Sequence, residues 1–253
     1  MRGWWREIVG LVLPVACAGC GRPRTELCAE CAAGAAAGPR RVRPAPEPAG
    51  LPVVHAAAPY ENAVRAMLLA HKERGALGLA GVLGGALAAA VRAGAGYPGE
   101  RAPLLLVPVP STRRATAGRG HDPVRRIAVA AAAELRRGGT PARVLAVLRQ
   151  RRAVADQAGL GARERQANLA GALVLADDGR RLLGGGRVVL VDDLLTTGAS
   201  LAEAARAVRA GRRAARGTST VPWGAGGGDE GARDGLRAAV VAASPSAFEI
   251  NRN

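Results

Sequence analysis

The sequence predicts an α/β fold, a parallel sheet flanked by helices, with a small cysteine-rich unit ahead of it. Three observations predict it. Apolar runs of strand length alternate with helical patterns from residue 104 onward, which is the signature of strand–helix–strand units. The run Val188-Val189-Leu190-Val191 is apolar on both faces, as in a strand covered by helices on each side. All four cysteines fall between residues 17 and 31, apart from the rest of the chain. A length of 253 residues holds one sizeable domain and an appendage. The expected organisation is an amphipathic helix with the cysteine unit over 1–38, a linker over 39–52, and an α/β domain over 53–253.

Residues 3–13 mix Trp4, Trp5, Ile8, Leu11 and Val12 with Arg6 and Glu7, an amphipathic helical pattern closed by Pro14. A secretory leader is the rival reading. Glu7 and the shortness of the apolar run argue against it. No segment approaches the roughly 20 apolar residues that a membrane-spanning helix needs, so a cytoplasmic protein without a membrane span is expected.

Cys17 and Cys20, then Cys28 and Cys31, make two C-x-x-C pairs, a spacing that turns two thiolates toward one ion. Gly19 and Gly21 relieve the backbone around the first pair. Four thiolates suit a closed, structural Zn²⁺ site, with an iron–sulfur centre as the other occupant. Disulfides between cysteines three apart would be strained, and a reducing compartment disfavours them.

Residues 39–52 are rich in Pro, Arg and Ala and read as an extended linker. A short strand over 53–57 follows, with His55 in it, then a helix over 60–70 that runs on into His71 and Lys72. A second helix is expected over 77–91 and a buried strand over 104–110. Asp122 as cap and Pro123 at the first helical position open a helix that ends at Gly138-Gly139. Further strands are expected over 144–148, 173–175, 187–191 and 238–243. Residues 212–235 are Arg-rich, then Gly- and Asp-rich, and read as a surface insertion.

Hydrophobic residues reach 49% but are largely Ala, and aromatics are 2%, so the core must lean on Leu and Val. The net charge of +16 would attract nucleic acid or another polyanion; an Arg-, Ala- and Gly-biased composition explains it equally well. Few aromatics disfavour base-stacking platforms. Lys72 is the only lysine, which hints at a place that needs a compact ammonium; chance survival on a helix surface is the alternative.

The chemistry is stated at 188–200. The apolar strand ends in Asp192 and Asp193, turns through Thr196, Thr197 and Gly198, and enters a helical pattern at Ala199 and Ser200. A helix N-terminus offers backbone N–H groups and the positive end of its dipole to a phosphate. Carboxylates just upstream would accept hydroxyl hydrogens of the same ligand. A sugar phosphate carries both groups. Paired acids at a strand end also occur in receiver-type domains, but there they lie near the domain start and lack the Thr-Thr-Gly turn.

This run resembles the phosphoribosyl-pyrophosphate (PRPP) motif of type I phosphoribosyltransferases. The resemblance implies that Asp192 and Asp193 contact the ribose hydroxyls and act catalytically. It implies that Thr196, Thr197, Gly198, Ala199 and Ser200 hold the 5′-phosphate. The wider pattern is similar to the ComF family, phosphoribosyltransferase-like proteins associated with DNA uptake. It joins the two cysteine pairs, His71-Lys72, Val107-Pro108-Val109-Pro110, Arg119-Gly120-His121-Asp122, Gln157, and Arg165 with Asn168. The chain departs from that pattern at His121 and Asp122. Lys72, Pro110, Ser111, Arg113 and Arg119 stand where the resemblance implies pyrophosphate and loop contacts, with Mg²⁺ accompanying PRPP. The segment 149–165 is a candidate cover. Two other functions remain open at this point. One is a non-enzymatic protein binding single-stranded DNA or DNA-uptake proteins while keeping a sugar-phosphate pocket. The other is an ordinary purine or pyrimidine salvage transferase.

Overall fold

Side-chain alternation along three adjacent strands decides the architecture. In the computed structural model, which describes residues 15–35, 38–95, 102–111, 120–154, 161–216 and 235–249, six strands form one sheet. In chain order these are β1 (Arg40–Val42), β2 (Val53–Pro59), β3 (Leu104–Pro108), β4 (Ala142–Val144), β7 (Arg187–Leu195) and β8 (Arg237–Ala243). Two short strands, β5 (Leu148–Gln150) and β6 (Leu173–Leu175), pair antiparallel in a separate ribbon. The main sheet runs β1-β2-β8-β7-β3-β4, and only β1 is antiparallel.

The helices are α1 (Ala29–Gly34), α2 (Asn62–Glu73), α3 (Ala80–Gly94), α4 (Pro123–Arg137), α5 (Ala162–Leu169), α6 (Gly179–Leu183), α7 (Ala199–Arg216) and α8 (Ser246–Glu249). Leu104, Leu106, Val189, Val191, Ala239 and Val241 face one way, into a core shared with α2, α3 and α4. Leu105, Val107, Val188, Leu190, Ala238 and Val240 face the other way, toward α7 and the β5–β6 ribbon. Successive side chains on opposite faces, both apolar, are what a parallel strand covered on two sides requires. The predicted α/β sheet with flanking helices is present, and β7 lies in its interior.

Several expectations are corrected in detail. The single strand expected over 144–148 divides into β4 in the main sheet and β5 in the ribbon. β4 can pair with β3 only over Leu104 to Leu106, because β3 runs into Pro108 and Pro110, which have no N–H to continue a ladder. The strand expected over 173–175 belongs to the ribbon, not to the parallel sheet. The linker over 39–52 contributes β1, paired Arg40 with Ala56 and Val42 with Val54. The insertion expected from 212 begins later, since α7 continues to Arg216. The amphipathic helix over 3–13 and most of the insertion lie outside the described residues.

Asp122 caps α4 as expected: its carboxylate accepts from the Arg125 N–H at 3.1 Å, with Pro123 at the first helical position. The expectation of no segment fit to span a membrane meets one apolar stretch among the described residues. Leu77–Gly94, an 18-residue run comprising a 3-10 turn and α3, is long and apolar enough by length and composition. Half of it is buried, against α4, β2 and β8.

Candidate functional site

The motif lies at the carboxyl end of β7, where open parallel sheets hold their ligands. Side-chain alternation sends its two acids to opposite faces. Asp193 follows Val189 and Val191 onto the α2–α4 face, where it is buried and accepts a hydrogen bond from Lys72 Nζ at 2.9 Å. Asp192 points to the α7 face. It is half-buried at the mouth of a small pocket lined by itself and by residues 194–201. Its Oδ1 accepts from the Asp193 N–H at 2.8 Å. Burial, and then the neighbouring Asp193 charge, push the Asp192 carboxyl well above its ordinary range; the Lys72 ammonium and the N–H bond pull against them.

After Leu195 the chain must reverse sharply. Gly198 does this at φ +76°, the left-handed region, and a Cβ there would meet Pro48 Cγ and Leu51 Cδ2, each at 3.2 Å. Glycine is therefore required by the backbone angle, and the approach of the 48–51 segment leaves little room for a Cβ. α7 begins at the next residue, so its first N–H groups, which lack intrahelical acceptors, face the turn. The Ala199 N–H donates weakly to Thr197 Oγ1 at 3.5 Å. Thr196 is exposed, and Thr197 and Ser200 are half-buried. This arrangement can hold an anion at the turn and hydroxyl or cationic groups at the acids.

Pro110 and Ser111 follow β3, which pairs with β7, and the Val109 N–H donates to Val191 O at 2.9 Å. Both are thus placed at the same sheet edge as the acids. Arg113 and Arg119 lie outside the described residues. Lys72 joins the site from α2, and the neighbouring His71 is buried with its ring nitrogens 3.3 Å from Ala76 O and 3.4 Å from Pro123 O.

Two contributions were not foreseen from the sequence, and a third, Arg165, falls in the segment 149–165 named as a candidate cover. A cleft of about 260 Å³ is lined by the Pro46 to Ala49 segment, by Arg163 and Gln166 of α5, and by Thr197 and Ala199. Glu47 in that lining is already paired with Arg43. Arg165 of α5 reaches Thr196 Oγ1 at 3.5 Å. Finally, buried Glu203 accepts from the Leu173 N–H at 2.8 Å and from Arg206 Nε at 2.7 Å, while Arg206 Nη2 donates to Leu173 O at 2.8 Å. Burial alone would raise the Glu203 carboxyl; the Arg206 and Leu173 bonds outweigh it and hold it below its ordinary value. That pair ties the β5–β6 ribbon to α7, with Glu203 in the second turn of the helix. The i, i+3 spacing of Glu203 and Arg206 was the only sequence cue.

The cysteine unit is a second site. The Sγ atoms of Cys17, Cys20, Cys28 and Cys31 all lie within 4.8 Å of one another. All four are free thiols rather than disulfides. A tetrahedral Zn–S₄ centre with bonds of about 2.3 Å has sulfur–sulfur edges of about 3.8 Å, and Cys20 Sγ lies 3.7 Å from Cys28 Sγ. The donor set and its dimensions fit a metal such as zinc. The Cys28 and Cys20 N–H groups draw the Cys17 thiol down to about 6, whereas burial pushes Cys31 up. A Cβ on Gly19 would lie 2.7 Å from Cys31 Sγ, so this knuckle admits only glycine. Comparison with known proteins finds no family model that matches this chain and no curated protein that matches it.

Proposed function

We propose that this chain is a PRPP-binding, phosphoribosyltransferase-like protein of the ComF type, with a structural zinc ion in its four-cysteine unit. The observation that carries the reading is the junction of β7 and α7. Two carboxylates at the end of an interior parallel strand stand next to a Thr-Thr-Gly turn whose glycine has φ +76° and opens a helix of 18 residues. A ligand with a phosphate at one end and vicinal hydroxyls a few ångströms away satisfies both parts at once. Ribose 5-phosphate is the simplest such group, and PRPP adds a pyrophosphate, for which Pro110 and Ser111 stand just past the end of the adjacent strand β3. Asp192 and Asp193 would accept the hydroxyl hydrogens. They would also place negative potential beneath a ribose ring that gains positive charge as its anomeric bond breaks. Magnesium would arrive with the pyrophosphate and neutralise it.

Calorimetric titration with Mg²⁺–PRPP tests the reading. Wild-type protein should bind, and the double substitution Asp192→Ala, Asp193→Ala should lose at least tenfold in affinity, since hydrogen bonds to charged groups contribute about 1.5–3 kcal/mol each. Failure of the wild type to bind, or equal binding by the double variant, refutes it. Pyrophosphate release from PRPP in the presence of free bases would then decide whether a transfer reaction follows.

A further inference from the structure

Arg165 lies on α5, outside the turn and the acid pair. Its Nη1 is 3.5 Å from Thr196 Oγ1, the outer limit of a hydrogen bond. Its Nε is shielded from solvent and has no hydrogen-bond partner among the described residues. A guanidinium with a shielded, unused donor is costly to keep, and its planar fork matches two oxygens of a phosphate.

The position of Arg165 is built rather than incidental. At the start of α5 the Gly161 N–H donates to Glu164 Oε2 at 2.7 Å. At its end Arg152 Nη2 donates to Asn168 O at 2.9 Å and to Ala170 O at 2.8 Å. The next strand, β6, is pinned by Glu203 and Arg206 to α7, the helix whose N-terminus forms the turn. Arg165 and the turn are therefore held by one framework. Lys72 stands elsewhere at the junction, on Asp193, and does not share the Thr196 position with Arg165.

We propose that Arg165 is the side-chain cation for the 5′-phosphate, covering from α5 the anion that the turn holds from below. This rests on the sugar-phosphate reading of the turn and names a residue outside the Asp192–Ser200 run, one that the wider pattern contains without an assigned ligand contact. Two ligands, D-ribose 5-phosphate and Mg²⁺–PRPP, test it with wild type, Arg165→Gln and Arg165→Lys. Arg165→Gln should bind ribose 5-phosphate about 10–100-fold more weakly, the range for losing a charge-assisted hydrogen bond, and Arg165→Lys should recover part of that. In ³¹P NMR of bound PRPP, the 5-phosphate resonance should differ between wild type and Arg165→Lys while the two diphosphate resonances coincide. A merely structural role would not produce that selectivity. Ribose 5-phosphate binding by Arg165→Gln at wild-type strength overturns the proposal. So does a perturbation confined to the diphosphate resonances. Wild-type protein that binds neither ligand would instead remove the sugar-phosphate reading itself, and the proposal with it.

Discussion

Among 36 basic residues the chain keeps a single lysine, and that lysine sits on the acid pair. Asp193 is buried, so an uncompensated charge there would be expensive, and a point-like ammonium on a long stem satisfies one carboxylate oxygen from α2. Asp192 is left with the harder position. Burial and the Asp193 charge both raise its carboxyl, so the folded state binds a proton there more tightly than the unfolded chain does. Stability from this group therefore falls as pH rises from the ordinary carboxylate range through its folded value, and is level above it. Asp192→Asn should remove that slope. Urea denaturation across pH 4 to 8 should show the variant gaining on wild type as pH rises, while PRPP affinity drops at least tenfold for want of the charged acceptor. A slope unchanged by Asp192→Asn would mean that the strain lies elsewhere. Under the proposed function, that cost is what a binding site imposes on its fold.

At the scale of elements, the sheet is held from one side by the close crossing of α3 and α4. Gly84 makes that crossing: a Cβ there would lie 2.5 Å from Ala130 Cβ and 2.9 Å from the Ala131 N. Two opposed effects follow from Gly84→Ala. Replacing a helix-interior glycine should stabilise by about 0.5–1 kcal/mol, while overpacking a tight contact costs about 1–3 kcal/mol. The contact involves backbone, which cannot step aside as a flexible side chain can, so the cost should win. Gly84→Ala is expected to lower stability by about 1–2 kcal/mol in urea denaturation, and a more stable variant would show that the helices separate without penalty. α7 does different work on the other side. Its first turn follows directly on the Thr196–Gly198 turn, and its Glu203–Arg206 pair grips β6, so a single helix fixes both the turn and the ribbon that carries α5.

For the molecule as a whole, what could be read from sequence was what lies close together in it. The strands at 104–108, 187–195 and 237–243 are apolar runs, and the motif from Asp192 to Ser200 is contiguous. β1 hides in a Pro- and Arg-rich stretch because three residues of pairing leave no periodic pattern. Likewise α5 has no apolar stripe to announce it. Lys72 stands 121 residues from its partner Asp193, and Arg165, which the resemblance picks out only beside Asn168, stands 31 residues from Thr196. Tertiary structure alone joins these groups. The cysteine unit shows the same division. Its spacing was legible, but its docking was not: Ala18 and Leu27 pack into the core that includes α2, and Gly19 abuts Ala63 at the start of that helix. The unit has almost no core of its own beyond Cys17, Cys28 and Cys31, with Leu27 and Ala63 against them. A metal ion would supply the missing cross-links, as zinc does in small domains that unfold without it. Removing the metal with a chelator should therefore release residues 15–35 to fast amide exchange. The exchange should spread to the first turns of α2, while β3, β7 and β8 stay protected. Hydrogen exchange read by mass spectrometry, with metal content measured on the same sample, checks this. Full protection of 15–35 in the metal-free protein would show that the thiols pack as an apolar cluster and need no ion. Loss of protection throughout the sheet would show that the unit braces the entire domain, not only the helix that delivers Lys72.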